Sequence, residues 1–361
     1  MQTLSSLQHK KSLIDDFLQQ YLAKTTAQFN QQSLTQAAFA QLTQLAVSGK
    51  SLRGGLFLLA AEALDSDRYQ QQQADFVKVA AALELIQTGL LIHDDIIDRD
   101  SKRRGQDSTW QHYAQSAPHP QLSHSEQAHF GYSMAICVGS VAQYLAMALL
   151  EELASVPQTV ATQLRQQVSR EISKTYFAEM LDEQLTVQAE LPSIDEVLEM
   201  YTYKTARYTM VLPLQLAARA TEASAATHNQ LAKIGETLGL IFQIKDDEIG
   251  IFAQQDQSGK STASDLLSGK KTLFYLELLQ QLPADSQELR TLQQLFGRTD
   301  LSANELDTLQ QLFATHAAPA VTRRLDTLIG QAQSLIHDTS VPNSVQKLLE
   351  ELLTFSLERT K

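Results

Sequence analysis

Residues 76–97 read FVKVAAALELIQTGLLIHDDII, and this stretch decides the fold. Its apolar residues recur every three to four positions with no proline among them, so the spacing predicts one long helix. It then ends in acids. In 91–105, LIHDDIIDRDSKRRG, each helical residue turns by about 100°, so Asp94 and Asp98 lie one turn apart on one face, with Asp95 beside Asp94. Carboxylates stacked this way repel unless a cation lies between them. Oxygen-only donors suit a hard ion such as Mg²⁺, which completes its shell with water and substrate phosphates. Arg103 and Arg104 follow directly, and guanidinium is a bidentate partner for phosphate oxygens. An acidic helix end by itself reads as a solvated surface. Acids that close an apolar helix and are followed by paired arginines read as a site.

The same helical period continues through Gln230 to Phe252 and Ser344 to Leu357. Alternating stretches bounded by turn residues are scarce, so the expectation is an all-α protein. Breaks fall at polar or Pro-containing stretches such as Gln115–Glu126, Val156–Gln158, Leu191–Ser193, Gln254–Ser264 and Thr339–Asn343. None is long enough for an interdomain linker, so residues 1–361 are expected to form one domain. Residues 133–150, SMAICVGSVAQYLAMALL, carry no charge and are only about long enough to cross a bilayer. With Ser140 and Gln143 inside, they read as a core helix, and no transmembrane segment or signal peptide is expected.

Composition agrees with this. The chain has 361 residues, is 43% hydrophobic and 19% charged, and contains only 14 Gly and 8 Pro, which favours helices around a sizeable core. A net charge of -12 argues against general nucleic-acid binding. The single Cys137 excludes an intrachain disulfide and a cysteine zinc cluster, and suits a reducing cytoplasm.

A second acidic pair closes another apolar run about 150 residues on, in 240–250, LIFQIKDDEIG: Asp246 and Asp247, with Gln243 one turn before Asp246. Lys260, Lys270 and Lys271 follow. Two such patterns, each joining acids to downstream bases, describe metal ions bridging a diphosphate between opposing helices. Two more basic clusters fit an anionic substrate: Lys50 and Arg53 in GKSLRGG, and Lys204 beside Thr205 in YKTARYT. His93 has no further metal-spaced histidines around it and reads as a packed helix residue.

In order and spacing, GKSLRGG, LIHDDIIDRDSKRRG, YKTARYT, FQIKDDEIG and GKSTASDLLSGKKT resemble the trans-isoprenyl diphosphate synthases, the polyprenyl synthetase family, over about Leu45 to Leu273. The resemblance implies a helical bundle around a deep central cavity, as a homodimer. It also implies a magnesium-dependent head-to-tail condensation of isopentenyl diphosphate with an allylic prenyl diphosphate, giving pyrophosphate and a longer trans-prenyl diphosphate, expected at twenty carbons or more. Asp94 and Asp98 would hold two Mg²⁺ against the allylic diphosphate with Asp95 beside them. Asp246 would hold a third, supported by Asp247 and Gln243. Arg103, Lys204, Thr205, Lys260 and Lys270 would meet the allylic diphosphate. Lys50, Arg53, Gln87 and Arg104 would bind isopentenyl diphosphate.

The chain departs from the family pattern at Gly250, where a third aspartate is frequent, and at Gln87, where His is frequent. Ser140, Ala178 and Glu179 also differ from frequent family choices, whereas Asp182 matches. Short-chain members commonly close the product channel with an aromatic near the position of Gly89. Here Ile86, Gly89 and Leu90 offer none, so the expectation is a longer product, shortened by Gly89→Phe. Two other readings remain open at this point: a class I terpene cyclase, which needs no second diphosphate site, and a non-catalytic partner subunit.

Overall fold

Long stretches without proline fold here into long helices. The computed structural model describes residues 2–29, 32–119, 121–252, 263–338 and 340–359. In chain order the helices are α1 (Gln2–Thr26), α2 (Ser33–Val47), α3 (Leu52–Leu64), α4 (Ser66–Ile97), α5 (Thr109–Gln115), α6 (His124–Glu151), α7 (Gln158–Val187) and α8 (Ile194–Tyr201). A π-helical segment (Thr202–Val211) leads into α9 (Leu212–Ala220) and α10 (Ala225–Phe252). Then come α11 (Ser264–Ser268), α12 (Leu273–Gln281), α13 (Gln287–Leu295), α14 (Ala303–Leu312), a π turn (Phe313–Ala317), α15 (Ala318–Ile336) and α16 (Asn343–Leu357). Among the described residues the only strands are β1 (Lys102–Arg103) and β2 (Gln106–Asp107), so the all-α expectation holds.

Local chemistry sets several helix starts. The Ser-x-x-Glu sequences at Ser123/Glu126, Ser193/Glu196 and Ser302/Glu305 each form a reciprocal capping box. Asp65 caps α4 by accepting from the Arg68 N–H at 3.0 Å.

The chain gathers in two compact units that are interleaved along the sequence: 1–167 with 213–224, and 168–212 with 225–361. In the first, α4 packs on α3 and α6, with Phe57, Tyr69 and Phe76 fully buried. The α4–α6 crossing is close because both helices place glycine there. A Cβ on Gly89 would lie 2.7 Å from the Gly139 carbonyl oxygen, and one on Gly139 would lie 2.5 Å from His93 Nε2. This bears on Gly89→Phe: the side chain would meet the α6 backbone, because Gly89 stands where α4 and α6 touch.

Helix α6 is also less buried than its sequence suggests. Ala135, Val138, Ala142, Leu145 and Leu149 face the core. Ile136, Cys137, Val141 and Tyr144 form an exposed stripe at helical spacing. By length and composition alone α4 and α6 could each cross a membrane, but most of the apolar part of α4 is buried inside the protein.

In the second unit α10 packs on the π-helical segment, α15 and α16. The first of these contacts again needs glycine: a Cβ on Gly239 would lie 2.4 Å from the Cα of Ala206. Gly239→Val is therefore expected to cost about 1–3 kcal/mol of stability by forcing α10 off that segment. A lower urea midpoint with an unchanged slope would show it; an unchanged midpoint would mean that the two helices part without cost.

Candidate active site

In the first unit the candidate groups gather where α4 ends. Asp98 is the C-cap residue of α4, and its N–H donates to the Asp94 carbonyl at 2.8 Å. Asp95 is buried, and Arg103 turns back from β1 to meet it, with Nε 2.6 Å from Asp95 Oδ1. The same guanidinium lies 3.2 Å from Asp94 and 3.5 Å from Asp100. Trp110 Nε1 donates to the Asp100 carbonyl at 2.8 Å and fixes the loop between them. Burial pushes the Asp95 carboxyl up to about 6, even with Arg103 opposing it.

Arg104 goes the other way. It takes left-handed backbone (φ 55°), followed by Gly105 (φ 77°), which closes the β1–β2 turn. Its guanidinium donates to Leu45 O at 3.0 Å and Ser48 Oγ at 2.8 Å at the end of α2. Room comes from Gly49, where a Cβ would lie 2.9 Å from Arg104 Nη2. Lys50 is exposed just before α3 and Arg53 stands in its first turn. Gln87, on α4, has a buried carbonyl oxygen without a hydrogen-bond partner among the described residues. The structure thus separates two adjacent arginines: Arg103 stays with the aspartates, while Arg104 joins the loop that carries Lys50 and Arg53. Ile86 is buried, and Leu90 is partly exposed.

In the second unit Asp246 and Asp247 close α10 differently. Asp246 is half exposed and pairs with Arg359 at 2.9 Å, whose guanidinium also stacks on Phe242, 3.7 Å from the ring centre. Asp247 is buried. Tyr201 OH donates to its Oδ2 and Gln243 Nε2 donates to its Oδ1 at 2.8 Å. Burial raises its carboxyl well above the usual range, and Asp265 adds to this. Each Asp247 oxygen thus accepts one hydrogen bond, and the Gln243 amide is directed at Asp247. Lys204 lies 2.9 Å from Glu179 and also pairs with Asp182, with Thr205 partly buried beside it. Lys270 begins the link to α12, and Lys260 lies outside the described residues.

Sequence reasoning missed Arg359, Tyr201 and Asp265. Arg359 carries no motif to find it by. Tyr201 adjoins YKTARYT, and an aromatic hydroxyl so near a basic motif was a usable signal. Asp265 stands against Gly250, where a Cβ would lie 2.5 Å from Asp265 Oδ2, so the glycine makes room for that carboxylate.

The oxygen-donor set fits a hard divalent ion. Asp95 Oδ2 is buried with no hydrogen-bond partner among the described residues. No three acidic, His or Cys residues among the described ones stand close enough to hold an ion alone.

A family model of polyprenyl synthetases matches residues 32–313. The chain is 30% identical over 225 residues to a (2E,6E)-farnesyl diphosphate synthase of Mycobacterium bovis, covering 62% of this chain and 55% of the relative. It is 30% identical over 247 residues to a geranylgeranyl diphosphate synthase of Mycobacterium tuberculosis, covering 68% and 63% respectively. The chain therefore matches less than two thirds of the length of these relatives. In fold it is similar to a geranylgeranyl pyrophosphate synthase from Corynebacterium glutamicum, solved with isoprenyl diphosphate and magnesium, with a TM-score of 0.88 and 24% identity over 97% of this chain and 98% of that one.

Removing Arg103 leaves Asp95 buried without its counter-charge. Arg103→Met, measured in chelator, is expected to lose about 3–5 kcal/mol at pH 8. The loss should shrink at pH 5. Because the folded value of Asp95 lies above its unfolded one, the neutral form favours folding fully below about pH 4 and that contribution fades as pH rises through about 6. Denaturant titrations at both pH values check this; a pH-independent loss would place the cost elsewhere.

Proposed function

The chain belongs to the polyprenyl synthetase family, and from that premise we propose that it condenses isopentenyl diphosphate with an allylic prenyl diphosphate, releasing pyrophosphate. The observation that carries this reading is the divergence of Arg103 and Arg104 at the Asp94–Asp98 end of α4, which supplies cations in two directions from one acidic helix end. A terpene cyclase needs no second diphosphate site, and Arg104 with Lys50 and Arg53 favours the condensing enzyme.

In this proposal Asp94 and Asp98 hold two Mg²⁺ and Asp246 a third, with Asp95 and Asp247 as buried supports. When bound, Mg²⁺ supplies Lewis-acid neutralisation of a leaving diphosphate. Arg103, Lys204, Lys260 and Lys270 serve the allylic diphosphate, with Thr205 beside Lys204. Glu179 and Asp182 hold the Lys204 ammonium in one place, which suits a group that must meet charge as it develops. Lys50, Arg53, Gln87 and Arg104 serve isopentenyl diphosphate.

We further infer one catalytic domain over 1–361, a homodimer and a cytoplasmic location. The uncharged, exposed stripe Ile136, Cys137, Val141 and Tyr144 on α6 supports the dimer, since apolar side chains aligned on one exposed helix face mark contact surfaces. Product length is proposed as twenty carbons or more, because Ile86, Gly89 and Leu90 include no aromatic. Bulk is best added at Leu90, which is partly exposed.

Purified protein with Mg²⁺, farnesyl diphosphate and isopentenyl diphosphate should yield a prenyl diphosphate of at least twenty carbons by mass spectrometry. Asp94→Ala and Asp246→Ala should each slow it by at least about a hundredfold while keeping the fold. Leu90→Phe should shorten the product. Turnover without isopentenyl diphosphate, or near-normal rates in either aspartate variant, would overturn the reading.

A further inference from the structure

Glu84 is an acid in the middle of the apolar run of α4, buried, and has no part in the proposed chemistry. Its surroundings show what holds it. Helix α3 starts without a usual cap: Ser51 takes left-handed backbone (φ 48°), and its hydroxyl contacts Asp15 Oδ1 at 3.3 Å instead of the first turn. The first bond within the helix runs from Gly55 N to Ser51 O at 2.9 Å, so the amides before it need other acceptors. Gly54 allows α3 to lie against α4, where a Cβ would stand 2.6 Å from the Ala80 carbonyl oxygen. One turn on from Ala80, Glu84 reaches across: its Oε1 accepts from the Gly54 N–H at 2.7 Å. The Arg53 N–H also contributes, and the side chains of Arg53 and Arg104 act on the same carboxylate.

We infer that Glu84 is a positioning residue for the isopentenyl diphosphate site: by capping α3 from α4 it sets where Lys50 and Arg53 stand relative to Arg104. This rests on the assignment of those three cations to that substrate. A buried acceptor shared between two helices fixes their register, and a misplacement of about 1 Å in a binding group is enough to lose much of its effect.

Two conservative variants separate reach from charge. Glu84→Asp keeps the charge and retracts it by one methylene from α3. Glu84→Gln keeps the reach and removes the charge. With farnesyl diphosphate as the starter, Glu84→Asp is expected to raise the KM for isopentenyl diphosphate about tenfold, with the KM for farnesyl diphosphate within about twofold of wild type. Glu84→Gln is expected to stay within about threefold for both. The proposal is overturned if Glu84→Asp leaves the isopentenyl KM unchanged or raises both KM values alike, as a general loss of stability would. It is equally overturned if Glu84→Gln is as impaired as Glu84→Asp. Arg53→Ala tells the two levels apart: a raised isopentenyl KM there with none in Glu84→Asp defeats only the positioning role. An unchanged KM in Arg53→Ala removes the site assignment and this inference with it.

Discussion

A carboxylate at the end of a buried helix needs a counter-charge, and much of the first unit is arranged around that need. Asp95 is 1% exposed, and burying an ionised carboxylate unpaired would cost several kcal/mol. Arg103 meets it because the chain reverses at once through β1 and β2, with Arg104 and Gly105 in left-handed backbone at the turn. That reversal has a second effect. It carries the Arg104 guanidinium away from the aspartates toward the end of α2, so one structural solution supplies two cations with different surroundings.

The second unit meets the same constraint with neutral donors. Asp247 is as deeply placed as Asp95, but Tyr201 and Gln243 satisfy it, and Tyr201 in turn accepts from the Leu273 N–H at 3.0 Å. Among the described residues the more exposed Asp246 instead pairs with a cation, Arg359. An aspartate at position 250 would crowd Asp265 in this arrangement.

The two acidic helix ends also differ in how a single sequence position should be judged. Gly89 looked like an open place in a channel because no side chain stands there. In the structure the absence of a side chain is what lets α4 and α6 touch, with the Gly139 carbonyl occupying the space. The same residue type at Gly239 brings α10 against the π-helical segment that carries Lys204 and Thr205. At Gly89 and Gly239 the missing side chain serves helix contact.

The sequence by itself determined the helices, the capped starts at Ser123, Ser193 and Ser302, and the two acidic ends with their accompanying bases. Each depends on residues within a turn or two of one another, where period and spacing decide which side chains share a face. Only the tertiary structure decided which acids are buried supports and which stand open, that Arg103 and Arg104 part company, and that Glu84 caps a helix 30 residues away along the chain. Arg359 meets Asp246 across 113 residues, and nothing in either local sequence announces it. Such pairings follow from how closely two helices approach, which glycines and packed side chains set between elements, and no periodicity within one element contains that information.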